Sequence, residues 1–199
     1  MSFRLGLTGS IGMGKSTASG IFRKLGHPVW DADAAVHQIY APNGAAVGPV
    51  TAEFPAARGT DGEIDRQALK GLLAQNPAAL QRLEAIVHPL VAADRNAFVA
   101  ANRDAPVVVL DIPLLFENGL EQEMDGVAVV SAPEEVQRAR VLARPGMTAD
   151  TLEVILSRQM PDAEKRRRAS WIIPALTLEG AEATIMDILA EIMAEKPHA

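Results

Sequence analysis

An α/β fold, with a parallel five-stranded sheet flanked by helices, is what three features of this 199-residue chain predict. Short apolar runs alternate with segments of helical periodicity, the pattern of strands joined by crossover helices. One run, Val107–Leu110, is apolar without alternation, as a strand covered on both faces requires. The first run, Phe3–Thr8, feeds directly into Gly9-Ser10-Ile11-Gly12-Met13-Gly14-Lys15-Ser16, and a helical stretch from Thr17 to Leu25 follows. Strand, glycine loop and helix in that order give G-x-x-x-x-G-K-[ST] its physical meaning. The glycines let backbone N–H groups wrap a phosphate, and the helix start adds positive potential.

The remaining strands are expected at Pro28–Asp31, Val107–Asp111, Gly126–Ser131 and Trp171–Ile173. Between the second and third, Leu69, Leu72, Leu73, Leu80, Leu83, Ile86, Val87, Leu90 and Val91 recur at helical spacing with no strand among them. A crossover of this length predicts a helical subdomain inserted over about residues 34–104. A second helical excursion, about 133–168, is rich in arginine and is expected to form a lid. Ile185, Ile188, Leu189, Ile192 and Met193 make one stripe of a last helix, which Pro197 is expected to end.

Composition narrows the function classes. Hydrophobic residues make up 48% of the chain, enough for one full core. A net charge of −6 argues against broad affinity for nucleic acid or anionic membranes. The absence of cysteine removes disulfides, thiolate metal sites and thiol nucleophiles. No apolar run reaches membrane length, and the first strand leaves no room for a signal peptide, so a cytoplasmic protein is expected.

The loop predicts a bound nucleoside triphosphate, with Lys15 on its β- and γ-phosphates and the Ser16 hydroxyl on Mg²⁺. Asp31 and Asp33 follow the second strand, where α/β folds bind ligands. One of them can take a proton from an attacking hydroxyl and one can hold water on Mg²⁺; capping a helix is the alternative for either. Asp111 ends the third strand as a further Mg²⁺ partner or a strand-end carboxylate. Arg140 and Arg144, four residues apart, share a helix face suited to phosphate, or else pair with surface glutamates. Lys165-Arg166-Arg167-Arg168 is expected as a solvated helix end. His88-Pro89 marks a boundary between helices, and Asp65-Arg66 a helix start with a surface pair.

Taken together, these motifs resemble those of the dephospho-coenzyme A kinase family over nearly the whole chain. The family's L-T-G-x-I-G-x-G-K-S is Leu7 to Ser16, its aspartate pair is Asp31 and Asp33, and its G-x-[IL]-D-R-x-x-L is Gly62 to Leu69. Its H-P is His88-Pro89, its P-L-L-[FV]-E is Pro113 to Glu117, and its Q-x-x-R-x-x-x-R is Gln137, Arg140 and Arg144, with a later Gln at Gln159. The resemblance implies a P-loop kinase-like fold, and ATP- and Mg²⁺-dependent phosphorylation of the ribose 3′-hydroxyl of dephospho-coenzyme A. It implies Asp33 as general base, with Lys15 and Arg140 steadying the transferring phosphoryl group. ATP would rest on Ser10, Ile11, Gly12, Met13, Gly14, Lys15, Ser16 and Thr17, with Arg144 near the nucleotide. Thr8, Asp33, Arg66 and His88 would meet the acceptor, and Ser16, Asp31 and Asp111 the metal. One segment departs from the family. Its A-D-x-V-I-x-N-x-G near the last strand is here Ala169 to Thr177, with Ser170, Ala175 and Thr177 replacing Asp, Asn and Gly. Backbone groups remain there to read adenine.

Other small-molecule kinases, for nucleoside monophosphates or shikimate, share the loop and the arginines; the inserted Asp-Arg and His-Pro elements separate them. A GTP switch would need N-K-x-D and D-x-x-G, and the chain has neither.

Overall fold

The computed structural model describes residues 2–76 and 78–195. The chain divides into two compact units, one built from the sequence up to Trp30 and from Asn102 onward, the other from Asp31–Ala101.

The first unit is organised on a five-stranded sheet. Its strands are β1 (Phe3–Thr8), β2 (Val29–Asp31), β3 (Val107–Asp111), β4 (Gly126–Ser131) and β5 (Trp171–Pro174), in the order β2-β3-β1-β4-β5. The β1–β3, β1–β4 and β4–β5 pairs are parallel. Every residue of β3 and β4 is buried, which is why those runs are apolar without alternation. The register sets Leu7 of β1 beside Asp111 of β3, so the loop leaving β1 starts next to the Asp111 carboxylate.

Helix α1 (Lys15–Lys24) covers the sheet with Ala18, Ile21 and Phe22, and the last helix (Leu178–Glu195) covers it with Ile185, Ile188, Leu189 and Ile192. Phe22, Leu5, Leu7 and Ile185 are inaccessible to solvent, and each such side chain contributes about 1.5–3 kcal/mol by its burial. Pro197, expected to end the last helix, lies outside the described residues.

In the second unit, α2 (Ala32–Tyr40), α3 (Val47–Glu53), a 3₁₀ turn at Pro55–Ala57, α4 (Arg66–Gln75) and α5 (Ala78–Ala101) enclose their own core of Ile39, Val50, Phe54, Ile64, Leu69, Leu83 and Val87. The predicted break at His88-Pro89 does not occur, because α5 runs through Pro89 as one helix. An internal proline costs about 3 kcal/mol, and burying Leu83 and Val87 on the same helix offsets a cost of that size.

Three further helices belong to the first unit: α6 (Glu134–Leu142), α7 (Ala149–Leu156) and α8 (Asp162–Arg168). With these assigned, the last helix is α9. Helix α6 ends at Leu142, so Arg144 lies in the turn beyond it and does not extend the Arg140 face. Lys165 corrects the expectation of a solvated run. Its side chain is inaccessible to solvent and lies 2.9 Å from Glu117 Oε1, while Arg166, Arg167 and Arg168 stay exposed. Among the described residues no helix is long and apolar enough to cross a membrane.

Candidate functional site

The loop between β1 and α1 has the backbone its glycines allow. Gly12 and Gly14 adopt φ of 78° and 92°, a region side chains disfavour, and Met13 N–H closes the turn on Ser10 O at 3.1 Å. Space forbids larger residues as well. A Cβ on Gly12 would lie 2.5 Å from Val141 Cγ2. Three N–H groups are engaged within the protein: Met13 on Ser10 O, Thr17 on Gly14 O, and Ile11 on the Gln159 side chain. Ser16 and Thr17 are exposed on the first turn of α1.

Two cations converge on this loop. Lys15 Nζ is ion-paired with Asp111, a carboxylate only 2% exposed. Arg140, from α6, donates through Nη2 to Ala175 O at 2.6 Å, while its Nη1 is buried with no hydrogen-bond partner. A Cβ on Gly14 would lie 3.7 Å from that Nη1, so the unsatisfied nitrogen borders the loop itself. The Ser10 hydroxyl is likewise buried and unpartnered. Buried polar groups normally find partners, and unsatisfied donors gathered at a glycine loop are the arrangement that an anion completes.

The segment that departs from the family pattern has structural tasks here. Ala175 supplies the carbonyl for Arg140, and Ser170 Oγ accepts from Val127 N–H at 3.2 Å. Thr177 Oγ1 accepts from Gly180 N–H at the start of α9.

The expected acidic residues divide. Asp31 caps α2, its Oδ1 accepting from Ala34 N–H at 3.0 Å, so the capping alternative holds for it. Asp33, in the first turn of α2, is exposed. Thr8 is fully buried and its hydroxyl donates to Pro113 O at 3.0 Å, which fastens the loop after β3. His88 sits on the exposed face of α5.

In the helical unit, Asp33, Val36 and Tyr40 of α2 and Arg66, Leu69, Lys70 and Leu73 of α4 line a cavity of about 360 Å³. Helical spacing alone puts each set on one face. Asp65 starts α4 by accepting from Gln67 and Ala68 N–H, which fixes Arg66 at the first helical position. The Arg66 guanidinium lies 5.5 Å over the Tyr40 ring. Burial raises the Tyr40 phenol above its ordinary 10.0, and the nearby Arg66 charge opposes that rise. An apolar floor, two cations and a carboxylate suit a ligand that is both anionic and hydroxylated.

Among the described residues no group of three or more His, Cys, Asp or Glu is placed to hold a metal ion. Mg²⁺ keeps waters and takes phosphate oxygens beside one or two protein groups. The exposed Ser16 hydroxyl and the Asp111 carboxylate are the hard donors flanking Lys15.

Several contacting residues have no role assigned by sequence reasoning. Gln137 Nε2 donates to Ile11 O at 2.7 Å, and Gln159 Oε1 accepts from Ile11 N–H at 3.1 Å. Glu117 Oε1 accepts from Met160 N–H at 2.8 Å while pairing with Lys165. Tyr40 and Lys70 complete the helical-unit cavity. The spacing of Gln137 and Arg140, three residues apart on one helix, was the signal available for the first.

The family model for dephospho-CoA kinase matches residues 3–177. A dephospho-CoA kinase of Cereibacter sphaeroides is 59% identical over 190 residues, covering 96% of this chain and 95% of that protein. A Thermus thermophilus crystal structure superposes with a TM-score of 0.82 at 35% identity, covering 99% of both chains. The dephospho-CoA kinase structure from Campylobacter jejuni, 24% identical, shares the fold with a TM-score of 0.65 over 96% of this chain and 97% of that one. With its loop, sheet order and motifs in place, the chain belongs to the dephospho-CoA kinase family.

Proposed function

We propose that this protein transfers the γ-phosphoryl group of ATP to the ribose 3′-hydroxyl of dephospho-coenzyme A, giving coenzyme A and ADP. The observation that carries the nucleotide half is the buried, unpartnered Arg140 Nη1 beside Gly14, close to the loop that holds Lys15. The triphosphate rests on residues Ser10 to Thr17. With the Ile11, Met13 and Thr17 N–H groups already engaged, those of Gly12, Gly14, Lys15 and Ser16 carry most of the contact. Lys15 moves its charge from Asp111 to the β- and γ-phosphates, and Arg140 meets the oxygens on which charge spreads during transfer. Arg144, exposed in the turn after α6, adds a cation on the nucleotide side. Mg²⁺ held by Ser16 and Asp111 would neutralise phosphate charge.

The acceptor half rests on the helical unit. Dephospho-coenzyme A occupies the cavity of Arg66, Lys70, Tyr40 and Leu73, where the cations take its diphosphate and the apolar floor its uncharged parts. Asp33, exposed at the rim, accepts the proton of the attacking hydroxyl.

The test is ADP release with ATP and Mg²⁺, comparing dephospho-coenzyme A with AMP, CMP and shikimate as acceptors. Turnover with dephospho-coenzyme A at least about a hundredfold above the others in kcat/KM is expected, a discrimination within reach of a site built on hydrogen bonds and charge. Preferential use of another acceptor overturns the proposal.

A further inference from the structure

We infer that Gln137 and Gln159 are positioning residues that lock the phosphate loop by gripping Ile11 on both of its peptide faces, one through the carbonyl and the other through the N–H. The inference rests on the reading of this loop as the nucleotide cradle. The polarity of each contact is forced. A backbone carbonyl can bond only the amide nitrogen of Gln137, and a backbone N–H only the amide oxygen of Gln159.

The effect on the loop follows from peptide planarity. The C=O of Ile11 and the N–H of Gly12 lie in one trans peptide plane and point in opposite directions within it. Holding Ile11 O on Gln137 therefore turns Gly12 N–H the other way, and holding Ile11 N–H on Gln159 fixes the plane before it. Two successive peptides are thus oriented without either glutamine touching a phosphate. Gln137 is only 4% exposed, so its bond is little contested by water. Helix α6 also presses on the loop directly, since a Cβ on Gly12 would meet Val141 Cγ2 at 2.5 Å and Gln137 O at 3.1 Å.

Both grips come from anchored supports. Gln137 shares α6 with Arg140, so the helix that fixes the loop is the one that brings the guanidinium to Gly14. Gln159 precedes Met160, whose N–H is held by Glu117, and Glu117 is in turn paired with the solvent-inaccessible Lys165 of α8. The loop's conformation is thereby tied to α6 and to the α7–α8 connection.

The test exploits polarity. Gln137→Glu and Gln159→Glu each add one negative charge beside the same residue, but only the second keeps the atom its partner needs. Gln159→Glu is expected to hold Mg·ADP affinity within about threefold of the unmodified protein, because its carboxylate still accepts from Ile11 N–H. Gln137→Glu should weaken it about tenfold more than Gln159→Glu, the size of one lost hydrogen bond turned repulsive. Equal losses in the two variants would mean that packing or charge, and not orientation, is what the glutamines provide, and would overturn the inference. Amide hydrogen exchange in the nucleotide-free protein supplies a second readout. The Ile11 amide should exchange at least about a hundredfold more slowly than an unstructured amide, and Gln159→Leu should erase most of that protection. Exchange of Ile11 at the unstructured rate in the unmodified protein also overturns it. A protected Ile11 in a protein that fails to bind Mg·ADP counts against the nucleotide reading and not against the grip.

Discussion

A guanidinium nitrogen buried beside a glycine with no acceptor costs a fold about 1–3 kcal/mol, and Arg140 Nη1 is such a group. Nη2 already serves Ala175 O, which leaves Nη1 open to a ligand. A phosphate oxygen converts the cost into a charge-assisted bond. Arg140→Ala should therefore lower kcat about 10²–10³-fold, as loss of one donor to developing charge does elsewhere. Its melting temperature should hold or rise. A variant that loses only thermal stability would return Arg140 to a structural role. Asp33 stands differently, exposed and free of the capping task that Asp31 performs. Asp33→Asn keeps size and removes the proton acceptor, so steady-state kinetics should show kcat falling at least about a hundredfold with ATP affinity within several-fold. Near-normal turnover would remove Asp33 as base.

Among the elements, β1, its loop and α1 were legible because every determinant is local: an apolar run, three glycines, then a helical stripe. The five strands fell within a residue or two of expectation for the same reason. Lys165 was not legible. Four consecutive cations read as a solvated helix end, and only Glu117, from a distant loop, makes burial of one of them tolerable. Nor were the Ile11 contacts, which join residues 126 and 148 positions apart. Pro89 misled because its local cost is real, but the packing of α5 outweighs it.

The buried pair gives an element-scale prediction. Lys165→Met strands the Glu117 carboxylate and should destabilise by about 3–5 kcal/mol in denaturant unfolding. Adding Glu117→Gln should recover much of that loss; if the double variant is as unstable as the sum of the singles, the pair is not coupled. In the helical unit, Tyr40 gives a pH prediction. A phenol raised above 10.0 favours the folded state below the unfolded value, and that contribution is lost as pH climbs through the folded one. Thermal melts should thus fall more steeply above about pH 10 for the unmodified protein than for Tyr40→Phe. Parallel curves would show that the Tyr40 site does not resist ionisation.

At the scale of the whole molecule, a net charge of −6 disfavours polyanions, yet each unit carries its own small cationic site: Lys15 with Arg140 in one, Arg66 with Lys70 in the other. Local cations in a net acidic chain select compact anions, and a reaction joining two phosphate-bearing reactants needs two such places. The nucleotide loop and the family motifs were legible in the sequence. Placing Tyr40 and Lys70 beside Arg66 in one cavity required the fold, because cavity walls depend on how helices pack.

The most direct measurement is the position of the new phosphate. Incubated with ATP, Mg²⁺ and dephospho-coenzyme A, the protein should yield a phosphomonoester whose ³¹P resonance correlates with the ribose H3′ proton. Correlation with any other proton, or ADP formation without a phosphorylated acceptor, would contradict the account.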